Sequence, residues 1–214
     1  MAARNVSDQM NHLAHAVLAD PAPAQRLGNL FGDAIRGPLS RQDLPEGVIA
    51  GARAHRQIDG LTDRHPTSIR LRGLFAGNLR RYAGIILDVA FDHYLIRHWP
   101  TFCEVSRRSF TLGVYDAMHQ HPALLPARVR PLASRMIARD FLNRCETLQG
   151  VEDSLGFLSN RLTRGFDVAA ACRALERHDA ACERGFLQVF TDVNHALVRR
   201  GQVRDLVPAM DPQR

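Results

Sequence analysis

The chain has 214 residues, of which 45% are hydrophobic, and a formal net charge of +6. These values fit one soluble domain with its own core, and no apolar run reaches the roughly 20 residues of a membrane span, so a cytoplasmic location is expected. All 28 basic residues are arginines, and the absence of lysine excludes a Walker-type phosphate loop and a lysine Schiff base.

Apolar residues recur at helical spacing along the chain, and the alternation typical of strands is scarce. The pattern predicts an all-α, single-domain helical bundle. Asp59-Gly60 and Pro66 are expected to mark a helix stop and a restart, and Thr101 to cap a helix after Pro100. Helices are predicted over about 8–19, 24–36, 45–60, 67–78, 80–98, 101–120, 125–148, 151–163 and 168–200. The bundle is predicted to span 10–206, between a leader at 1–9 and a flexible tail at 207–214.

Two short segments near the N-terminus place polar groups inside apolar helical patterns. In NHLAH, Asn11 and His15 lie four residues apart on one helix face. A histidine satisfied inside the core is the simplest explanation of this segment. In GNLFGDAIRG, Asp33 and Arg36 are three residues apart, which an ordinary surface ion pair would explain.

The third segment, HRQIDGLTDRHP, carries His55 and Asp59 at the i, i+4 spacing. At this spacing two helix side chains can reach one metal ion. Asp63 and His65 follow, and Asp63 either joins the same site or caps the next helix.

The fourth segment, IILDVAFDHYLIRHW, places Asp88 and Asp92 four residues apart in an apolar helix, with His93 next in the chain. Two carboxylates that close repel each other, and the repulsion grows with burial. Either one aspartate is protonated or a cation lies between them. A helical bundle lined by Asp and His indicates a divalent metal, with manganese or magnesium favoured over zinc.

The stretches MNHLAH, GNLFGDAIRG, HRQIDGLTDRHP and RRYAGIILDVAFDHYLIRHW resemble, in order and spacing, the acyl carrier protein phosphodiesterases. These enzymes are also called acyl carrier protein hydrolases, and are divergent relatives of the HD-domain metal-dependent phosphohydrolases. The resemblance is close over residues 10–99 and looser to about residue 200. It implies a divergent HD-domain-like fold and a manganese-dependent enzyme that removes the 4′-phosphopantetheine arm from holo acyl carrier protein, leaving the apo form.

The resemblance also implies roles for individual residues. The implied metal-binding residues are Asp33, His55, Asp59, Asp88 and Asp92, and His93 beside Asp92 is a further candidate for the metal centre. Asp88 and Asp63 either bind the metal or orient a ligand. The candidates for protonating the leaving serine oxygen are His93, Asp63 and His15. Arg36 and Arg56, together with Asn11, are the candidates for binding the substrate. Nine residues precede the start of the family pattern at Met10, and are expected to be an alternative start or a disordered leader.

Two other functions compete with this interpretation. An HD-like phosphohydrolase acting on a nucleotide would use the same metal centre. An arginine-rich module binding nucleic acid would leave the Asp and His residues without a purpose, and the arginines are dispersed without aromatic interleaving. The expected partner is therefore an acidic carrier protein, with no nucleic acid and no membrane, since a net positive charge attracts an acidic surface. A bias towards arginine that comes from genome composition would also explain the net positive charge of the chain. Oligomeric state is left open.

Overall fold

The computed structural model describes residues 11–203 and residue 206. This part of the chain contains helices and no strand, which confirms the all-α prediction. The predicted leader at 1–9 and the tail at 207–214 lie outside the described residues. None of the described helices is long and apolar enough to cross a lipid bilayer.

Eleven α-helices follow one another in the described residues: α1 (His12–Val17), α2 (Pro23–Leu30), α3 (Glu46–Arg64), α4 (Pro66–Arg72), α5 (Ala83–Arg97), α6 (Trp99–Phe102), α7 (Arg107–Gln120), α8 (Arg130–Ala138), α9 (Leu148–Arg161), α10 (Val168–Arg177) and α11 (Asp179–Val198). Short 3-10 helices connect several of them, at Gly32–Ala34, Leu39–Arg41, Gly77–Tyr82, Pro122–Leu124 and Phe141–Glu146.

The predicted stop at Asp59-Gly60 is wrong, because α3 continues through Gly60 to Arg64. The helix ends at His65, whose extended backbone (φ −63°, ψ 129°) is the conformation that a following proline favours. The predicted cap at Thr101 is also wrong. Thr101 lies inside the short helix α6, and the next long helix is capped by Ser106, whose Oγ accepts from the Ser109 amide at 3.2 Å.

Two long predicted helices are each divided in the structure. The predicted helix at 125–148 breaks at Asp140, which adopts a left-handed backbone with φ 44° and leads into a 3-10 helix. The predicted helix at 168–200 divides at His178 into α10 and α11. Apolar periodicity continues across both breaks, so the pattern alone did not show them.

Glycines let α2 and α3 pack with their backbones in close contact. A Cβ on Gly28 would lie 2.2 Å from the Val48 carbonyl oxygen, and one on Gly51 would lie 2.0 Å from the Gln25 carbonyl oxygen. Any side chain at either position would force the helices apart. This contact brings the C-terminal end of α2 close to the part of α3 that carries His55.

Helix α5 is the central helix of the bundle and contacts α1, α4, α9 and α11. Its residues Ile86, Val89 and Leu95 are fully buried, consistent with a helix that is apolar on nearly every face. Asp88 and Asp92 therefore project from the helix that the rest of the protein packs around.

Candidate metal centre

A cluster of two histidines and two aspartates forms where α1, α3 and the 3-10 helix at Gly32–Ala34 meet. His15 Nε2 lies 3.2 Å from Asp59 Oδ1, and His55 Nε2 lies 3.3 Å from Asp59 Oδ2. Asp33 Oδ1 lies 3.2 Å from His55 Nε2. One ligand atom from each of His15, His55 and Asp59 can be chosen so that all three lie within 4.8 Å of one another, as a shared metal ion requires. The structure thus brings together His55 and Asp59, which share a helix, with Asp33 and His15 from elsewhere in the chain.

Two imidazole nitrogens in this cluster lack the hydrogen bonds that buried polar atoms normally make. Nε2 of His15 and Nε2 of His55 are buried and have no hydrogen-bond partner, although carboxylate oxygens are close. Each Nε2 atom is therefore close enough to a carboxylate oxygen for a hydrogen bond, but an N–H at that nitrogen would not point at the oxygen. Two unpartnered nitrogens facing shared carboxylate oxygens form a donor set that suits a divalent cation. The residues present fit a metal ion.

His15 is buried, and both of its ring nitrogens are directed at polar groups. Its Nδ1 is 2.9 Å from Asn29 Oδ1, and its Nε2 faces Asp59. The ring also stacks on His55, with ring centroids 4.0 Å apart and planes inclined by 25°. The simple explanation of His15 as an isolated, satisfied core histidine does not describe this environment.

The contacts in the cluster shift the pKa values of its members in opposite directions. Burial acts to lower the pKa of His55, but the adjacent Asp33 and Asp59 carboxylates raise it to about 9. Burial and the neighbouring His55 lower the pKa of His15. Burial opposes ionisation of Asp59, yet its contacts with the two histidines hold its pKa below the usual range. The cluster is therefore built around anionic carboxylate, which is the form that binds a cation.

The side chain of Asp92, a residue of α5, lies at the N-terminus of α1. Its Oδ2 accepts from the Leu13 amide at 3.3 Å, and its Oδ1 accepts from the Ala14 amide at 3.1 Å. Burial raises the pKa of Asp92 to about 8, while these two donors act in the opposite direction. The first amides of a helix have no partner inside the helix, so this carboxylate caps α1 from another helix. The structure thus places Asp92 on the element that carries His15.

Asp88 lies one turn before Asp92 on α5 and is partly exposed. Burial raises its pKa well above the ordinary value, and the nearby carboxylates of Asp59, Asp63, Asp92 and Asp33 raise it further. The charges of these carboxylates therefore disfavour a negative charge on Asp88 in the metal-free protein. The position of Asp88 fits either implied role, as a ligand or as a group that orients one.

Asp63 is not the cap of the next helix, which was one explanation of its position. The cap of α4 is His65, whose Nδ1 accepts from the Thr67 amide at 3.1 Å. The carboxylate of Asp63 instead forms an ion pair with Arg72 at 3.0 Å. Asp63 lies one turn after Asp59 on α3 and is partly exposed.

His93 is directed towards a different region of the protein. Its Nδ1 donates to the Cys145 carbonyl oxygen at 2.8 Å, and its ring contacts Tyr94. It lines a cavity of about 580 Å³ together with Tyr94, Arg97 and residues of α9 and α10. Adjacent residues on a helix point about 100° apart, so Asp92 and His93 serve different neighbours. The structure does not bring His93 into the His15–His55 cluster.

The three residues expected to bind substrate have different environments. The Arg56 guanidinium donates to the carbonyl oxygens of Ile35 and Gly37, both at 2.8 Å, and so fastens the loop that follows Asp33. Arg36 is exposed on that loop. Asn11 is buried at the start of α1, and its Oδ1 has no hydrogen-bond partner.

Two residues of this region were missed by the sequence analysis. Asn29 is fully buried and contacts His15. His12 packs edge-on against Phe141, and burial together with the nearby His15 lowers its pKa to about 4. Both lie in stretches that were singled out for other residues. The only local signal for Asn29 was its place between Gly28 and Gly32, since glycines four residues apart mark a close contact.

The family profile described as acyl carrier protein phosphodiesterase matches residues 10–193 of this chain. Similar proteins that carry that name include the following three. The protein of Yersinia enterocolitica is 34% identical over 178 residues, which is 83% of this chain and 92% of the relative. Those of Photorhabdus laumondii and Escherichia coli O157:H7 are each 33% identical, over 85% of this chain and over 91% and 94% of their own lengths. No solved structure matches the chain.

Proposed function

Because this chain belongs to the acyl carrier protein phosphodiesterase family, we propose that it hydrolyses the phosphodiester that joins 4′-phosphopantetheine to the serine of holo acyl carrier protein. The products are apo carrier protein and free 4′-phosphopantetheine. One structural observation carries the proposal. Two buried imidazole nitrogens, from His15 and His55, face the carboxylate of Asp59 without aligned hydrogen bonds, as expected where residues hold a catalytic metal ion.

We propose that His15, His55, Asp59 and Asp33 hold one divalent metal ion, with Asp88 as a further ligand or as an orienting group. Imidazole nitrogens favour a transition metal over magnesium, whereas carboxylates favour manganese over zinc. Manganese satisfies both preferences of a set with two histidines and two aspartates. We propose that Asp92 acts by capping α1, which holds His15 in place, rather than by binding the metal ion itself.

The bound metal would acidify a water molecule and neutralise charge on the phosphoryl oxygens. The chain's own residues supply the rest of the chemistry. His15 is hydrogen-bonded to Asn29 through Nδ1 and directs Nε2 towards the proposed metal ion, and His93 lies at a separate cavity, so neither is placed to donate a proton at the cluster. We propose that Asp63, which is partly exposed one turn after Asp59 and is ion-paired with Arg72, would take the proton that the attacking water releases and pass it to the leaving serine oxygen.

The surface beside the cluster suits an acidic protein. Arg36 and Arg41 are exposed in the segment that follows Asp33, and Arg64 is exposed on α3, with its guanidinium beside Gly60. Guanidinium groups attract and fork onto carboxylates and phosphates, so this rim would guide an acidic carrier protein to the metal centre. Arg56 acts indirectly, by holding the loop on which Arg36 lies.

The test is conversion of purified holo carrier protein to the apo form, followed by intact mass. We expect full conversion with manganese, none with an excess of chelator, and recovery on adding manganese that is better than recovery with zinc. A parallel panel of nucleotides should remain intact. Conversion that survives exhaustive metal removal would contradict the metal centre, and turnover of a nucleotide in place of carrier protein would contradict the substrate.

A further inference from the structure

Asn29 occupies the last turn of α2 and has no exposed surface. Its backbone is held by the contact between α2 and α3, since a Cβ on Gly51 would lie only 2.7 Å from the Asn29 nitrogen. Its side-chain Oδ1 lies 2.9 Å from His15 Nδ1. Asn29 therefore reaches a metal-centre histidine from a fixed point in the core, on the side of the ring that faces away from Asp59.

We propose that Asn29 is a positioning residue that holds His15 in the tautomer with its hydrogen on Nδ1, so that the Nε2 lone pair is free for a metal ion. An amide oxygen only accepts hydrogen bonds, so the nitrogen that faces it must carry the hydrogen. A neutral imidazole has a single N–H, so Nε2 is then unprotonated. A metal-binding histidine is commonly oriented in this way by a hydrogen bond from its other nitrogen.

Asp59 makes this assignment consequential. It lies 3.2 Å from His15 Nε2, near enough to attract a hydrogen placed on that nitrogen. In the opposite tautomer, a small rotation of the ring would let Nε2–H donate to Asp59, and this one hydrogen bond would occupy both a nitrogen and a carboxylate that could otherwise bind the metal ion. Asn29 thus prevents a hydrogen bond from His15 Nε2 to the Asp59 carboxylate. The claim that a metal ion binds here rests on the proposed function, whereas the claim about the tautomer of His15 does not.

The tautomer can be measured in metal-free protein labelled with ¹⁵N-histidine, by two-bond ¹H–¹⁵N correlation at fixed pH. The His15 signals are identified by their absence in His15→Gln. We expect the Nδ1–H form in the wild type and the Nε2–H form in Asn29→Leu, which has a similar shape and no acceptor. An Nε2–H form in the wild type, or the same form in both proteins, would overturn the proposal.

Manganese affinity gives a second readout, from the electron paramagnetic resonance signal of free Mn²⁺. Loss of such an orienting contact typically weakens metal binding about 10- to 100-fold, and we expect this for Asn29→Leu. Asn29→Asp keeps an oxygen acceptor and should remain within a few-fold of the wild type. Asn194→Leu is the matched control, because Asn194 is also fully buried but its Oδ1 accepts from the Leu206 amide at 3.2 Å. Its affinity should not change.

The outcomes separate the two proposals. A wild type that binds no Mn²⁺ would contradict the proposed function, while the tautomer measurement would still decide the role of Asn29. A wild type that binds Mn²⁺ no better than Asn29→Leu, or an Asn29→Asp variant as weak as Asn29→Leu, would show that Asn29 only fills space.

Discussion

His15 and His55 stack face to face with ring centroids 4.0 Å apart, although they belong to different helices. Two imidazolium ions at this distance would repel by about 4 kcal/mol at an effective dielectric constant of about 20. Only one ring of the pair is therefore readily protonated to the positively charged imidazolium form. The pKa directions agree, because the pKa of His55 is raised by Asp33 and Asp59 against the effect of burial, and that of His15 is lowered by burial and by His55.

The protonation of His55 predicts how the metal-free protein depends on pH. Its folded pKa is about 9, above the ordinary value of 6.5. A raised folded pKa means that the protonated group contributes stability that is fully present below pH 6.5 and is lost as the pH rises through 9. The total contribution is on the order of 3 kcal/mol.

Urea unfolding with chelator, from about pH 6 to about pH 10, gives this contribution from the difference between the wild type and Asp33→Asn, because Asp92, with its pKa raised to about 8, adds to the decline in both proteins. In Asp33→Asn, His55 has lost one of its two carboxylates, so the decline should be smaller and should be complete at a lower pH. Binding of manganese should show the opposite trend, since the metal competes with the His55 proton and its apparent affinity rises up to about pH 9. A flat stability profile in the wild type would show that His55 is not paired in this way.

Replacement of Asp92 tests whether this residue caps α1 or binds the metal. As the cap, Asp92→Ala leaves the Leu13 and Ala14 amides without their acceptor and should destabilise the metal-free protein by about 1–3 kcal/mol. Asp92→Asn retains one oxygen and should lose less. Metal affinity should fall about tenfold or less, through displacement of His15. If instead metal affinity fell by orders of magnitude while unfolding of the metal-free protein was unchanged, Asp92 would be a ligand.

Gly32 is predicted to be essential for the geometry of the metal centre. A Cβ at this position would lie 2.4 Å from His55 Cγ, so Gly32→Ala must displace the imidazole. We expect loss of manganese binding and of turnover in a protein that remains helical. Gly113→Ala is the control, because a Cβ on Gly113 meets nothing within 4 Å and should stabilise α7 by up to about 1 kcal/mol. Unchanged manganese affinity in Gly32→Ala would show that His55 is not a ligand.

The assignment of Asp63 as proton donor predicts a dependence on the leaving group. Asp63→Asn should slow hydrolysis of holo carrier protein about 10²- to 10⁴-fold, because a serine alkoxide leaves poorly without a proton. Hydrolysis of a p-nitrophenyl phosphodiester should slow far less, because p-nitrophenolate is stable as an anion. Arg72→Gln, which removes the ion-pair partner of Asp63, is the companion variant and should slow both substrates less than Asp63→Asn slows the carrier protein. Equal losses with both substrates in Asp63→Asn would indicate a role other than proton donation.

The sequence alone determined the features that depend on spacing along one helix. The helical class follows from apolar periodicity, and the closeness of His55 and Asp59 follows from their i, i+4 positions, because four residues make about one turn. The same periodicity did not show where helices break, as at Asp140 and His178, since the apolar pattern runs on past both residues.

Only the tertiary structure decided which groups from different helices meet. His15 joins Asp59 because glycine contacts bring α2 against α3 and because Asp92 caps α1. Asp92 and His93 are neighbours in the chain, yet one reaches the α1 amides and the other a carbonyl beside a separate cavity. Spacing shows which residues share a helix face, but the partner that faces them depends on how the helices cross, and that is set by contacts between residues far apart in sequence.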